Sequence, residues 1–524
     1  MTGADRSPYR RHRELAERIE REFRVADWRA GDMYLWPILS QDLFLDIFRS
    51  HASDTAPPPP ILPIRAATTL ATPAMNLWRS RQDLAHCLTR PHRADAIFLG
   101  DGVSLDFVDG SWRDRFGEPI IAAYERQGRA CFVMQSGNLT RLPWARPTYA
   151  ANQLAARAAL AARFAKSPKP ELPDHGGVMS LLRESGVTAP FLMPGRLDLR
   201  ARTVAAQAAE FERVLDRVQP SVAFTVTYYA GLGHAFALAC RRRRILCVDV
   251  QHCPHDGVHR AYQWSTLPPH GYSTLPSVFW TWSKTDAANI NGWTGKSSKP
   301  WHCAIAGGHT QIASLDRQEL ERLWGPAGGG DRRYEREILV ALQPIGGKSE
   351  KWKSLADQIA KSPPDWRWWI RRHPSSTAAQ YKECAPLLFI DRPNVTTGDA
   401  AQIPLPALLA HVDALVSMAS GAVGEAEIFG VPAFFLDREA SDTFPELIGR
   451  GSATITRVES LLDALRRLPC KMAHRPVEAP ELDETLREID VLAASYSRLC
   501  REAARDEIDR GERVGAEREA PCAA

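Results

Sequence analysis

Short apolar runs alternate with helix-like stretches along most of this chain, and the alternation constrains the fold more than any other feature. In the first half, the apolar runs have the length and composition of buried strands. A helix between two strands carries the chain back to the starting edge, so the strands pair in parallel. The predicted elements of this half are strands at residues 94–99, 130–134, 222–227 and 245–250 and helices at 199–218 and 231–243.

A polar, aromatic and proline-rich passage at residues 252–276 interrupts this pattern, and a second alternation follows it. The sequence therefore predicts an α/β protein with two doubly wound, Rossmann-like halves joined near Pro276. The predicted strands of the second half are residues 278–282, 303–306, 338–342, 366–370, 394–397, 414–416, 432–436 and 453–456.

The length of 524 residues also favours several domains, because single hydrophobic cores stop growing well below that size. Residues 1–64 are expected to form a helical arm that includes a Trp-rich amphipathic segment at 28–48 and ends in a Pro-rich linker. Residues 65–276 and 277–475 are the two predicted Rossmann-like domains. Residues 476–524 are expected to form a closing helix at 482–510 with a frayed end.

Composition excludes several classes of protein. The net charge of +4 is small beside 66 basic and 62 acidic residues, so no global field favours nucleic acid as a partner. Ten cysteines at irregular spacing favour reduced thiols over a disulfide framework. Because no apolar stretch is long enough to span a bilayer, we expect a cytoplasmic protein. Arginine runs at 9–13 and 241–244 favour a solvated face, with peripheral contact at the inner membrane face as the alternative.

Two short elements each follow a strand-like run, where open α/β sheets bind ligands. The first contains Arg371, His373 and Ser375, with Pro374 after the histidine. Proline pushes the preceding backbone out of the helical region, so the strand is expected to end at the imidazole. These side chains would offer donors to a phosphate. A strand-ending histidine that caps a turn is the alternative.

The second element runs from Ser417 to Ala426 and includes Ser420, Gly421 and Glu425. We expect it to end a strand and to begin a helix at residues 422–429. A helix amino terminus favours a phosphate through its free N–H groups and dipole, and a carboxylate one turn inside suits ribose hydroxyls. The alternative is a serine-capped helix without a ligand.

Together the two elements resemble the carboxyl-terminal domain of GT-B glycosyltransferases that build bacterial capsule and lipopolysaccharide, most of all the group with sialyl-, polysialyl- and Kdo transferases and teichoic-acid glycerophosphotransferases. The resemblance implies two domains that face each other across a cleft. It also implies that His373 and Ser420 contact the phosphate of a CMP-linked donor and that Glu425 contacts its ribose. The pattern departs at Gly421, where the sialyltransferases have a second serine.

The passage after residue 250 is the richest polar cluster and resembles the QHG junction of capsule-type transferases, with Cys253 in place of the glycine. Transfer needs a base on the acceptor hydroxyl, and a carboxylate or a neutral imidazole can serve. Asp256 and His252 are the candidates, with His255 as a third; structural packing is the alternative for each. A metal site that adds His259 is the rival hypothesis, which the proline-broken loop disfavours.

Two weaker sites remain. Asp101 follows the strand at 94–99 in a Gly-Asp-Gly sequence and would serve as base or bind acceptor, although an ordinary Asp-Gly turn also explains it. Lys348 ends a glycine-containing loop after the strand at 338–342 and would reach a diphosphate. The spacing of that loop is not that of a P-loop.

These features lead to the prediction of a glycosyltransferase that moves a sugar from a nucleotide-sugar to a glycan or lipid-linked glycan of a growing surface polysaccharide. No metal and no other cofactor is expected, because no Asp-x-Asp pair follows a strand. Three alternatives stay open: a polyol-phosphate transferase, a nucleotide-sugar 2-epimerase and a non-catalytic assembly subunit.

Overall fold

Two parallel sheets organise this computed structural model. The amino-terminal arm precedes them and consists of helices α1 (Pro8–Glu22) and α2 (Trp36–Ser53) with the small antiparallel pair β1 (Arg29–Ala30) and β2 (Met33–Tyr34). The structure describes residues 7–53, 91–137, 143–165, 168–295, 300–325, 334–343, 348–373, 378–398, 400, 402–469 and 481–519.

The first sheet has seven strands in the order β11-β10-β9-β8-β3-β6-β7, and all neighbours are parallel. A hairpin of β4 and β5 lies outside it. Side chains on both faces of the central strands are buried, which explains their near-continuous apolar sequences. The bounds are β3 (Ala96–Gly100), β4 (Leu105–Val108), β5 (Ser111–Asp114), β6 (Cys131–Gln135), β7 (Tyr149–Ala150), β8 (Val222–Val226), β9 (Leu246–Val250), β10 (Val278–Thr281) and β11 (Cys303–Ala306).

The second sheet has six parallel strands in the order β14-β13-β12-β15-β16-β17. Counted along the chain this is 3-2-1-4-5-6, the order of dinucleotide-binding Rossmann folds, and the first sheet has the same order with a seventh strand added. The bounds are β12 (Arg336–Ala341), β13 (Trp366–Arg371), β14 (Val395–Thr396), β15 (Ala414–Ser417), β16 (Ala433–Phe435) and β17 (Ala453–Ile455).

Helices cover both sheets and follow the strands as crossovers. They are α3 (Gly117–Arg126), α4 (Ala151–Ala161), α5 (His175–Glu184), α6 (Pro194–Val218), α7 (Gly233–Arg243), α8 (Lys284–Thr294), α9 (Thr310–Ala313), α10 (Arg317–Trp324), α11 (Ser349–Lys361), α12 (Ala378–Glu383), α13 (Ala385–Leu388), α14 (Leu405–Leu409), α15 (Ala422–Phe429), α16 (Ala440–Thr443), α17 (Pro445–Gly449), α18 (Leu461–Arg466) and α19 (Leu482–Glu519).

The predicted division at residue 276 is wrong, because β10 pairs with β9 and β11 pairs with β10, so both strands belong to the first sheet. The change of core falls between Ala306, where β11 ends, and Ile312, which packs in the second core. The sequence did not reveal this, since a polar loop at 252–276 interrupts the alternation inside a domain rather than between domains.

The arm packs on the first domain. Trp28 and Trp36 are fully buried in its core. The carboxylate of Glu20 accepts hydrogen bonds from Trp36 Nε1 at 2.9 Å and from the Ser265 backbone at 2.7 Å, so it fixes α1 to the loop after β9. Ser7 Oγ donates to Asp442 Oδ2 of the second domain at 2.6 Å. The arm therefore contacts both domains, and residues 54–64 of the predicted linker lie outside the described residues.

The closing helix α19 returns to the first domain, where Leu486 and Ile489 are buried beside β8 and β9. Arg129 pairs with its Asp490 at 2.7 Å. The helix continues to Glu519 and does not end near residue 510. Two Rossmann-like domains joined in this way confirm the predicted GT-B class. No helix among the described residues has the length and apolarity that crossing a bilayer requires.

Candidate functional site

In both sheets the strand order reverses beside the first strand, and open α/β sheets bind ligands at such switch points. In the first sheet this point lies between β3 and β8, where Thr227 Oγ1 donates to Asp101 Oδ2 at 3.2 Å. In the second it lies between β12 and β15, where the Ala419 backbone donates to Gln343 Oε1 at 2.8 Å. Asp101 and the Ser420 element are thus both placed at switch points.

Charges from both domains meet near these switch points, since Asp101 and Glu425 both act on the Arg115 guanidinium. His309 is one residue that joins the two domains. It follows β11 and caps α9 by accepting the Ile312 N–H on Nδ1 at 3.3 Å. Its Nε2 lies 3.2 Å from Glu425 Oε1. The ring packs against Trp282 with centroids 4.6 Å apart. Sequence reasoning missed His309; the signal was a polar residue just beyond a strand, after Gly307 and Gly308.

Arg115 is the second residue that sequence reasoning missed. It follows β5 in a turn that no strand pattern marks. Its guanidinium lies 3.6 Å from Asp106, and its buried Nε has no partner among the described residues. Its charge contributes to the lowered pKa values of His252, His373 and Arg371, although burial is the larger cause at each. Arg115 therefore places a positive charge between the two domains.

The first predicted element follows β13, which ends at Arg371, two residues before the histidine at which the strand was expected to end. Burial lowers the pKa of Arg371 to about 10, and its Nη1 donates to the carbonyls of Ala400, at 2.6 Å, and Ile403. Burial, followed by Arg115 and Arg371, lowers the pKa of His373 to about 4, so its imidazole is neutral at physiological pH. Ser375 lies outside the described residues.

The second predicted element begins α15 as expected. Ser420 Oγ accepts the Ala422 N–H at 3.3 Å, so the hydroxyl caps its own helix. Gly421 precedes the helix and Gly424 lies in its first turn, where an added Cβ would overlap Pro254 Cγ and lie 3.1 Å from Trp282. Glycine at 424 is what lets the helix start approach the loop after β9.

His252 lies in that loop, two residues after the end of β9. Its Nε2 is 3.2 Å from Tyr229 Oη, and its buried Nδ1 has no partner among the described residues. Burial lowers the pKa of His252, while Asp101 raises it and Arg115 lowers it further. The structure thus brings His252 and Asp101 into one neighbourhood, although 151 positions separate them in the chain.

Asp256, the first candidate base, has a different role. Its two carboxylate oxygens accept the backbone N–H groups of Glu446 and Leu447, both at 2.9 Å. Burial raises its pKa to about 7, while those N–H groups lower it. The carboxylate caps α17 and fastens the first domain to the second. Both oxygens are occupied, so Asp256 does not fit the role of base.

His255 also does not fit that role. Its ring stacks on Tyr262 with centroids 3.5 Å apart, and neither nitrogen has a partner among the described residues. Burial lowers its pKa well below the usual value, followed by His259 and His252. His255 is a packed core histidine. Within the described part of the chain, no group of His, Cys, Asp and Glu is arranged to hold a metal ion.

Lys348 is paired with carboxylates of its own domain. Its Nζ lies 2.6 Å from Asp437 Oδ2 and 3.4 Å from Glu439 Oε2, so it ties the start of α11 to the end of β16. The arginine run at the end of α7 is also paired: Arg242 pairs with Asp32 at 2.7 Å and Arg243 with Asp216 at 2.6 Å. These arginines contribute to the fold and do not form a free basic surface.

A cavity of about 320 Å³ lies between the arm and both domains. Its walls combine aromatic rings with a few polar groups, a composition typical of ligand sites. Tyr9 and Phe44 come from the arm, Tyr229 and Cys253 from the first domain, and Gly421 from the second.

No protein-family model matches this sequence, and no curated protein matches it either. Several solved structures are similar. The UDP-GlcNAc 2-epimerase of Methanocaldococcus jannaschii with UDP-GlcNAc and UDP is 14% identical with a TM-score of 0.42, over 75% of this chain and 98% of that one. The Neisseria meningitidis UDP-GlcNAc 2-epimerase bound to UDP-GlcNAc is 15% identical with a TM-score of 0.42, over 78% and 100%. The glycosyltransferase SnogD from Streptomyces nogalater is 16% identical with a TM-score of 0.39, over 79% and 99%. These likenesses are too distant to assign a function.

Proposed function

We propose that this protein is a glycosyltransferase that moves a sugar from a nucleotide-sugar donor to the hydroxyl of a glycan acceptor. One observation carries the proposal: the Arg115 charge acts together with groups of both Rossmann-like domains, and these groups are donors and acceptors suited to a phosphorylated sugar. Arg115 and Asp101 come from the first domain, and His373 and Glu425 come from the second.

The donor fits the second domain. The start of α15 favours a phosphate through its dipole and N–H groups. Arg371 and His373 lie at the end of β13, which is separated from β15 by β12 alone. Arg115 faces this group from the first domain and supplies the charge that an anionic leaving group needs. Glu425, held by His309, is the acceptor for ribose hydroxyls.

The chemistry follows from this placement. The acceptor oxygen bonds to the anomeric carbon as the bond from that carbon to the phosphate oxygen breaks. The phosphate leaves with the electron pair, which Arg115 and the helix start stabilise. The hydroxyl proton passes to a base of the first domain, and Asp101 and His252 are the candidates.

The glycan acceptor fits the cavity between the arm and the two domains, which Gly421 also lines. The rings of Tyr9 and Phe44 in its wall suit the apolar face of a sugar. The sequence resemblance supports a growing surface polysaccharide, as a glycan or lipid-linked glycan, at the inner membrane face. Asp-x-Asp chemistry is not needed in this scheme, so we expect activity to persist in EDTA.

A thermal-shift panel of CMP, CDP, UDP, GDP and ADP tests the donor site, because a ligand that binds only the native state raises the melting temperature. We expect one base to respond, and release of that nucleotide from its sugar to require acceptor. His373→Ala should abolish the shift, and the neighbouring exposed Arg372→Met should retain it. No response to any nucleotide would favour the assembly-subunit alternative. Isomerised nucleotide-sugar without transfer would favour the 2-epimerase alternative. Transfer of a phosphorylated polyol would favour the polyol-phosphate transferase.

A further inference from the structure

A chain of contacts behind His252 determines where its proton lies. The Ala261 backbone N–H lies 3.3 Å from His259 Nδ1. His259 Nε2 lies 3.4 Å from Tyr229 Oη, which in turn lies 3.2 Å from His252 Nε2. The contacts therefore run from the Ala261 backbone N–H through His259 and Tyr229 to His252.

The first link sets the state of His259. A backbone N–H can only donate, so His259 Nδ1 must accept and carries no proton. Burial lowers the pKa of His259 to about 3, with His252 as the next cause, so the ring is neutral at physiological pH. A neutral imidazole has one proton, which must then be on Nε2. His259 therefore donates to the oxygen of Tyr229.

The second link sets the state of His252. Burial, followed by Cys253 and then Asp249, raises the pKa of Tyr229 well above its usual value, so the phenol keeps its proton. Its oxygen accepts from His259, so its single O–H has two possible acceptors, His252 Nε2 and the Cys253 sulfur, which also hydrogen-bonds it. Sulfur is the weaker acceptor of the two, so the O–H donates to His252 Nε2. Burial lowers the pKa of His252, so its ring is neutral and its proton is on Nδ1. That nitrogen is buried and has no partner among the described residues.

We propose that Tyr229 and His259 are positioning residues that hold His252 as the Nδ1–H tautomer, so that His252 donates a hydrogen bond to an oxygen of the bound nucleotide-sugar. The inference rests on the proposed function for the identity of that ligand. It assigns the role of base to Asp101, because an imidazole that presents N–H to the substrate has no lone pair there to take a proton.

Asp101 fits that role. Its Oδ1 accepts the backbone N–H groups of Val103 and Ser104, both at 2.8 Å, which fixes the carboxylate at the switch point. Among the described residues, its Oδ2 accepts hydrogen bonds from hydroxyls alone, those of Ser104 at 3.1 Å and Thr227 at 3.2 Å. A substrate hydroxyl can replace one of them without leaving a backbone donor unpaired.

Nitrogen-15 NMR of the histidine-labelled full-length protein tests the tautomer directly, because protonated and bare imidazole nitrogens resonate far apart. His302 is the internal reference for the Nδ1–H form: its Nδ1 donates to the Pro276 carbonyl at 2.7 Å, and its Nε2 accepts the Tyr272 N–H at 3.1 Å. His252→Gln identifies the signals of His252. We expect His252 to match His302, and Tyr229→Phe to convert it to the Nε2–H form. A bare Nδ1 in the wild-type protein would overturn the proposal, whether or not the variant folds.

Titration with UDP and CMP tests the ligand contact. The nucleotide that binds should shift the Nδ1–H proton of His252 and slow its exchange with water. An unchanged signal at saturation with the nucleotide-sugar would contradict the contact. A wild-type protein that transfers no sugar would instead refute the proposed function while the tautomer assignment stands, so the two failures are distinguishable.

Kinetics test the positioning role. Tyr229→Phe and His259→Leu should each lower kcat by about tenfold or more, with KM near the wild-type value. His259→Gln keeps a donor near the position of Nε2 and should recover most of that loss. Equal losses in His259→Leu and His259→Gln would mean that the residue acts through packing alone.

Discussion

Replacing Asp256 separates its role as an interdomain cap from the role of base. In Asp256→Ala, the N–H groups of Glu446 and Leu447 lose their acceptor, both now at 2.9 Å from the carboxylate. Leaving a buried donor unsatisfied costs about 1–3 kcal/mol. The Glu446 N–H is partly buried and counts for less, so we expect a loss of about 2–4 kcal/mol in total. Asp256→Asn keeps one acceptor oxygen and should lose about half as much.

The assay is calorimetric melting, together with kcat of the folded variant well below its melting temperature. Asp174 provides a matched control, because it shares the left-handed backbone, with φ of 61° against 49°, and its carboxylate accepts the Arg24 N–H at 3.1 Å. Asp174 is exposed and distant from the cleft, so Asp174→Ala should lower the melting temperature less. If Asp256→Asn melted at the wild-type temperature and lost a hundredfold in kcat, the capping role would be refuted and Asp256 would again be the candidate base.

Three further predictions follow from contacts outside the chemistry. Lys348→Met should lower the melting temperature and leave the nucleotide affinity unchanged by calorimetry, because its ammonium is held by Asp437; a large loss of affinity would place it in the donor site. Gly424→Ala should destabilise the protein and weaken nucleotide binding, since the added Cβ meets Pro254, whereas Gly292→Ala on α8 meets nothing and should be neutral or stabilising; equal effects would contradict the packing argument. Burial raises the pKa of Asp249 to about 7, so its contribution to stability is fully present below about pH 4, the ordinary pKa of the group, and is lost as the pH rises through 7. Asp249→Asn should therefore gain on the wild type in denaturation midpoint between pH 5 and pH 8, and a constant difference across that range would contradict the assignment.

Strand positions were predictable because burial on both faces leaves a strong signature in sequence. The predicted strand at 303–306 coincides with β11, and the predicted helix at 422–429 coincides with α15. Membership of a sheet was not predictable in this way, because a strand sequence does not record which neighbour it pairs with. For that reason β11 was assigned to the wrong domain.

The candidate site was predictable only where a residue follows a strand in sequence. Asp101, His373 and Ser420 were found by that rule. Arg115 follows a hairpin outside the sheet, and its importance depends on the approach of a second domain. The role of Asp256 also depends on that approach, since its partners on α17 lie 190 and 191 positions away. Contacts between distant segments of one chain leave no local pattern.

The most direct test of the account is whether groups from both domains act on one nucleotide. Calorimetric titration with UDP and with CMP would be performed on the wild type, Arg115→Met, His373→Ala and the double variant. We expect each single change to lower the affinity for the nucleotide by about tenfold or more. The two effects should be non-additive by about 0.5–3 kcal/mol, as for groups that share a ligand. Additive effects, or unchanged affinity in either folded single variant, would contradict a shared site across the cleft.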